Sequence, residues 1–206
     1  MTIADNVLGN VRAKVDVAIE SLCGWFRLSD PQEFAGNFDS RLAVLVAQQA
    51  IQSLNPSVEF QWESELSVPP LSLRRRVMKP WVDIWMLLFS NVVKYSAQAG
   101  KIKVNIKLAY LEDFGFSLSV TNPVLDGRVD EHVARAKQLI EQGEYTEAVS
   151  KEGRTGLRKA LKTARVDLRA TESRLSVSKE SNHFRVTLKI APVELSESEN
   201  DEGDDD

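Results

Sequence analysis

Two stretches of the chain alternate apolar and polar residues with a period of two. Ile102, Val104, Ile106 and Leu108 fall on one side, and Lys101, Lys103, Asn105 and Lys107 on the other. Phe114, Phe116, Leu118 and Val120 alternate likewise with Gly115, Ser117, Ser119 and Thr121. This pattern predicts strands over 101–111 and 114–121, each with one face on a core and one face wet. Val58, Phe60 and Trp62 against Glu59, Gln61 and Glu63 predict a third strand, and residues 174–178 and 184–190 two more.

Between the strands the period lengthens to that of a helix. Residues 40–54 carry Leu42, Val46, Ala50 and Ile51 on one stripe and stop at Asn55-Pro56. A longer helix is expected over about 73–98, with Trp81, Trp85, Leu88, Phe89 and Val92, ended by Gly100. Another is expected over 155–169. Residues 123–153 lack strand character but hold a short amphipathic run, Val129, Val133, Ala136 and Ile140. So long a connection is either a functional lid or an ordinary insertion.

Upstream, Ala4, Leu8, Val11, Val15, Ala18, Leu22 and Trp25 recur at alternating spacings of four and three. This is the seam of a helix of roughly three heptads, which pairs with a second copy, with a helix elsewhere, or with its own domain. Pro31 and Gly36 break it. The expected organisation is a heptad helix over 1–30, a domain over 31–193 and a tail over 194–206. The element order predicts an α+β fold, a two-layer α/β sandwich with helices on one face of a half-wet sheet.

Composition narrows the function. The 206 residues carry a net charge of −4, but residues 194–206 alone hold eight acids and no Lys or Arg. Without them residues 1–193 carry +4, which suits an anionic ligand and is too little for nucleic acid. The tail is too polar to bury a core. The longest apolar run, 81–93, is short for a membrane span and holds Asp83. The N-terminal residues lack a secretory pattern, and Cys23 is the sole cysteine, so a reducing, cytoplasmic setting is expected.

One motif carries chemistry. In "FSNVVKYS", residues 89–96, Asn91, Lys94 and Tyr95 lie three and four positions apart and share one helical face. A solvated helix edge explains Lys94 and tolerates Tyr95, but Asn91 sits between Phe89 and Val92. A nucleotide pocket explains all three.

Four stretches in order resemble the ATP-binding domain of sensor histidine kinases, of the GHKL class shared with gyrase, Hsp90 and MutL. "LLFSNVVKYS" is similar to the N-box, "LSVTNP" stands where the D-x-G box closes a strand, and "EGRTGLRKAL" where the glycine box opens a helix. "RLSVSKESNHFRVTLKIAP" resembles the closing hairpin. The resemblance implies ATP and Mg²⁺ as cofactors, with Asn91 as the metal ligand, Lys94 on phosphate and Tyr95 against the base or ribose. It implies Thr121 or Asn122 at the adenine amino group, and Arg154, Thr155, Gly156 and Leu157 at the phosphates, where an open helix start favours an anion.

Departures qualify it. Thr121 and Asn122 replace an aspartate, Arg154 and Arg158 replace glycines, and Leu87 occupies the position where hydrolytic members keep a glutamate. The two histidines, His132 and His183, lie outside the heptad helix, so no phosphoacceptor is evident. The implied partners are an adenine nucleotide and a histidine-bearing helical hairpin or response-regulator-like protein, with a homodimer possible through residues 4–25 and no membrane insertion. Two functions follow: delivery of a phosphoryl group to a histidine on another segment, or a docking module that has lost ATP. A serine kinase on the same fold has no discriminating residue.

Overall fold

The computed structural model describes residues 37–68, 72–96, 100–112, 114–124, 128–141 and 156–191. The heptad segment 4–25, the tail 194–206, Arg154 and Thr155 lie outside the described residues.

A five-stranded mixed sheet forms the wet layer. Its strands are β2 (Glu59–Ser67), β4 (Lys101–Leu111), β5 (Gly115–Pro123), β6 (Arg174–Glu180) and β7 (His183–Ile190), in the order β2-β4-β5-β7-β6. β2 runs parallel to β4 and the other pairs are antiparallel. The predicted alternations hold: Ile102, Val104, Ile106 and Leu108 are buried, as are Phe116, Leu118 and Val120. On the wet face the lysines of β4 meet the glutamates of β2, as in Lys101–Glu59 at 3.0 Å, Lys103–Glu63 at 2.7 Å and Lys107–Glu65 at 2.8 Å. The Lys107 ammonium holds the Glu65 carboxyl below its usual range. Such exposed pairs contribute little individually, but they fix which face is wet.

Helices α1 (Ser40–Leu54) and α2 (Met78–Ser96) pack on the inner face. α4 (Gly156–Lys162) packs on α2, and α3 (Val129–Glu141) packs beside β6 and β7. This is the expected mixed sheet with helices gathered on one face. Trp81, Trp85 and Phe89 of α2 are fully buried. Trp81 meets Phe116 edge-on at 4.9 Å between ring centroids, and Phe89 meets Trp62 at 5.0 Å. No described helix is long and apolar enough to cross a membrane.

Three local departures from the sequence reading have physical causes. The long helix begins at Met78 rather than near 73. Pro80 has no N–H to donate and belongs in a first turn, which a start at Met78 provides. Residues 72–74 instead form a short strand, β3, paired with β1 (Asn37–Asp39), so that Phe38 faces Leu73 with both buried. The 155–169 segment is α-helical only to Lys162. Thr163–Asp167 forms a π-turn, closed by Leu168 N–H donating to the Thr163 carbonyl at 3.1 Å. The turn buries Ala164 and Leu168 and lets the Arg165 guanidinium donate to the Ser173 carbonyl.

Asp39 caps α1, accepting from Arg41 N–H at 2.9 Å while its carboxylate pairs with the Arg41 guanidinium. That pairing holds the Asp39 carboxyl below its usual range. A depressed folded-state value means that the contribution is present above the unfolded pKa and lost as pH falls through the folded one. Loss of the cap in Asp39→Ala should cost about 1 kcal/mol near neutrality. Asp39→Asn, which keeps an acceptor without the charge, should flatten the acid limb of stability in denaturant titrations across the carboxylate range.

Candidate functional site

The rotation of α2 decides what reaches the site. At about 100° per residue, the stripe of Trp81, Trp85 and Val92 faces the sheet, and Asn91 and Tyr95 fall roughly a quarter-turn away. Asn91 is half-buried there and Tyr95 is 43% exposed. Together with Lys94 they form one wall of a cavity of about 410 Å³. Leu157 and Arg158 of α4 form a second wall, and His132, Arg135, Ala136 and Ile140 of α3 a third. Val124 and Phe184, from the ends of the central strands, close the floor. The segment read as lid or insertion thus contributes a helix to the cavity.

Asn91 is held through the nitrogen of its amide. Its Nδ2 donates to the Leu87 carbonyl at 2.8 Å, and the group lies against the start of α4. A Cβ on Gly156 would sit 2.8 Å from Nδ2 and 3.0 Å from Oδ1, so any side chain at 156 would displace the Asn91 amide from this position. With Nδ2 committed, Oδ1 is left as an acceptor.

The strand residues divide by parity. Thr121 shares the wet face with Ser117 and Ser119 and accepts a hydrogen bond from Arg185 Nε at 3.1 Å. The structure does not bring it to the cavity. Asn122 points inward, is 4% exposed, and pairs in register with Phe184 of the cavity floor, although its own side chain does not line the cavity. Its Nδ2 donates to Ser96 Oγ at 2.8 Å and to the Pro123 carbonyl at 3.1 Å, while Ser96 Oγ donates to the same carbonyl at 2.9 Å. A carbonyl oxygen can only accept, so the Asn122 atom facing it is the nitrogen. Both amide hydrogens are then used, and what Asn122 retains is an acceptor oxygen, as a carboxylate would. The period-two pattern that assigns Ser117 and Ser119 outward could have identified this residue over Thr121. Ser96, which no motif singled out, is buried and orients it.

Tyr95 faces His132 of α3, ring centroids 5.6 Å apart, and the Lys94 ammonium lies 5.6 Å from the centre of the Tyr95 ring. His183 begins β7 opposite Pro123. Leu87 is half-buried, and no carboxylate lines the cavity among the described residues. The described residues hold no cluster of three His, Cys, Asp or Glu that would bind a metal by itself. The donor set still fits Mg²⁺, which takes few protein oxygens and completes its shell with phosphates and water. Asn91 Oδ1 is the oxygen on offer.

Residues 41–191 match the family described as "y4jQ C-terminal putative histidine kinase domain". Among solved structures, the mycobacterial sensor histidine kinase MprB is similar at 13% identity and a TM-score of 0.50, over 75% of this chain and 97% of that one. The blue-light activated histidine kinase EL346 of Erythrobacter litoralis matches at 9% and 0.50, over 79% of this chain and 48% of that one. The Acinetobacter baumannii histidine kinase AdeS matches at 16% identity and 0.49, over 90% and 79%. At such identities the likeness is one of fold. No curated protein sequence matches.

Gly156→Ala should force Asn91 off the Leu87 carbonyl and destabilise the domain by about 1–3 kcal/mol. In an Asn91→Ala background the same change should cost much less, because the clashing atoms are gone. A double-mutant cycle by denaturant unfolding checks this, and equal costs in both backgrounds would refute it.

Proposed function

The chain belongs to the y4jQ C-terminal histidine kinase domain family, and from that premise we propose that it is an adenine-nucleotide-binding domain that delivers the γ-phosphoryl group of ATP to a histidine on a partner segment, in two-component-type signalling. The observation that carries this reading is the cavity itself, where the Asn91, Lys94 and Tyr95 face of α2 meets Leu157 of α4 and the floor at Phe184.

Each residue has a role set by its chemistry. Val124, Leu157, Tyr95 and Phe184 give a purine an apolar and aromatic seat. Asn122 Oδ1, its nitrogen pinned by Ser96 and Pro123, accepts from the exocyclic amino group of adenine. Lys94 neutralises phosphate as a point charge. Arg154, Thr155 and Gly156 lead directly into Leu157 and meet the phosphates from the chain entering α4. Asn91 Oδ1 holds Mg²⁺, which when bound neutralises charge on the phosphate oxygens. Phosphoryl transfer asks for positioning and electrostatics more than for covalent help, and these residues supply both. Thr121, on the far face of the sheet, takes no part in this cavity. The acceptor comes from a histidine-bearing helical hairpin or a response-regulator-like partner, and residues 4–25 offer a seam for pairing with it or with a second copy.

Calorimetric titration tests the binding. Mg-ATP should bind, Asn91→Ala should abolish the dependence on metal, and Lys94→Ala should cost about 1–3 kcal/mol. GTP, which presents an oxo group where adenine presents an amine, should bind at least about tenfold more weakly, a difference of about 1.4 kcal/mol. Absence of heat and of thermal shift with millimolar nucleotide would leave a docking module on the same fold.

The chain alone should neither hydrolyse ATP quickly nor label itself on histidine. No described carboxylate lines the cavity to deprotonate water, and Leu87 stands where a base would be needed. His132 packs on Tyr95, and His183 is tied into the sheet. Incubation with γ-labelled ATP should give acid-labile label only after a histidine-bearing helical partner is added. Stable label on His132 or His183 would contradict this.

A further inference from the structure

Among the described residues, the charged side chains lining the cavity are all basic: Lys94, Arg135 and Arg158, with His132 beside them. They come from three different helices and converge on one concavity, which focuses positive potential. Among the described residues, Lys94 and Arg135 pair with no carboxylate. The Lys94 ammonium near the Tyr95 ring leaves its charge uncompensated.

The opposite charge is concentrated in the same chain. Residues 194–206 hold eight acids and no Lys or Arg, and five of those acids fall in 201–206. β7 leaves the sheet at Ile190, opposite Phe116 and remote from the cavity floor at Phe184. Six residues of strand separate these ends, about 20 Å. The fifteen residues from 192 to 206 span up to about 50 Å when extended, so the chain can double back with its acid-rich end at the cavity.

We propose that residues 199–206 dock in this cavity as an internal polyanion and compete there with the phosphates of the nucleotide. The competition rests on the nucleotide reading above, whereas the docking contact does not. Carboxylates against Lys and Arg give charge-assisted hydrogen bonds, individually weak at exposed positions. The tether raises their effective concentration to the millimolar range, where a set of weak contacts is occupied and a phosphate chain can still displace it. Arg174 and Lys189 form a rival patch near the exit of β7, each already over the Phe114 ring at 5.7 and 5.9 Å. They serve as the control.

The receptor for the test is the full chain with its eight tail acids changed to Asn or Gln, and the probe is a fluorescent peptide of residues 194–206. Anisotropy should show binding that weakens with salt. Lys94→Glu with Arg135→Glu should weaken it about tenfold or more, and Arg174→Glu with Lys189→Glu should leave it nearly unchanged. The neutralised chain should also bind ATP severalfold more tightly than the natural one. No peptide binding, or loss of binding only with the Arg174 and Lys189 changes, overturns the docking. Peptide binding at the cavity with equal ATP affinities in the two chains overturns the competition. If the peptide binds there and neither chain binds ATP, the docking stands, and both the nucleotide reading and the competition fall.

Discussion

The burial of one aromatic stripe on α2 sets the rest of the arrangement. Trp81, Trp85 and Phe89 have no exposed surface, and they lock against Phe116 and Trp62 of the sheet. Burying side chains of this size contributes about 2–3 kcal/mol each, more than any surface contact in the molecule. It does so although the indole nitrogens of Trp81 and Trp85 find no acceptor among the described residues. Because the stripe fixes how α2 is rotated, it also fixes where Asn91, Lys94 and Tyr95 point. The site is a by-product of the core: a helix that turned by one residue would bury Lys94 and expose Phe89.

On that frame, two asparagines are treated alike. Each has its amide nitrogen committed to the protein, Asn91 to the Leu87 carbonyl and Asn122 to Ser96 and the Pro123 carbonyl. Each therefore keeps an oxygen to offer. An amide held this way imitates the acceptor half of a carboxylate without bringing a charge into a nearly closed position, where burying an ion would cost far more. The replacement of aspartate by Asn122 is thus compatible with a working pocket. The charged groups that line the cavity among the described residues are all cationic, which makes an acidic segment a natural competitor.

Much of the fold was legible because its strands are half-wet. Period-two alternation marked β4, β5 and β7 to within two residues at each end, and Asn55-Pro56 marked the end of α1. What escaped had too little pattern or depended on distant partners. β1 and β3 are three residues each, too short to show a period, and their pairing rests on the contact of Phe38 with Leu73. α2 starts at Met78 rather than near 73 because Pro80 belongs in a first turn and residues 72–74 pair with β1 instead. Asn91, Lys94 and Tyr95 line one cavity with Leu157, distant from them in sequence, whereas Thr121 and Asn122 do not line it. His132, Arg135 and Phe184 join the cavity from segments far apart in sequence, so no contiguous motif could announce them.

The nucleotide reading places the ligand on the helix side of the sheet, between α2, α3 and α4. Amide chemical-shift mapping with Mg-ADP tests it most directly. Perturbations are expected at the side-chain amides of Asn91 and Asn122 and at the backbone of Tyr95, Leu157 and Phe184, with Ser117, Ser119 and Thr187 on the wet face unmoved. Shifts gathered on the wet face, or a saturating nucleotide that leaves Asn91 and Asn122 unchanged, would contradict it.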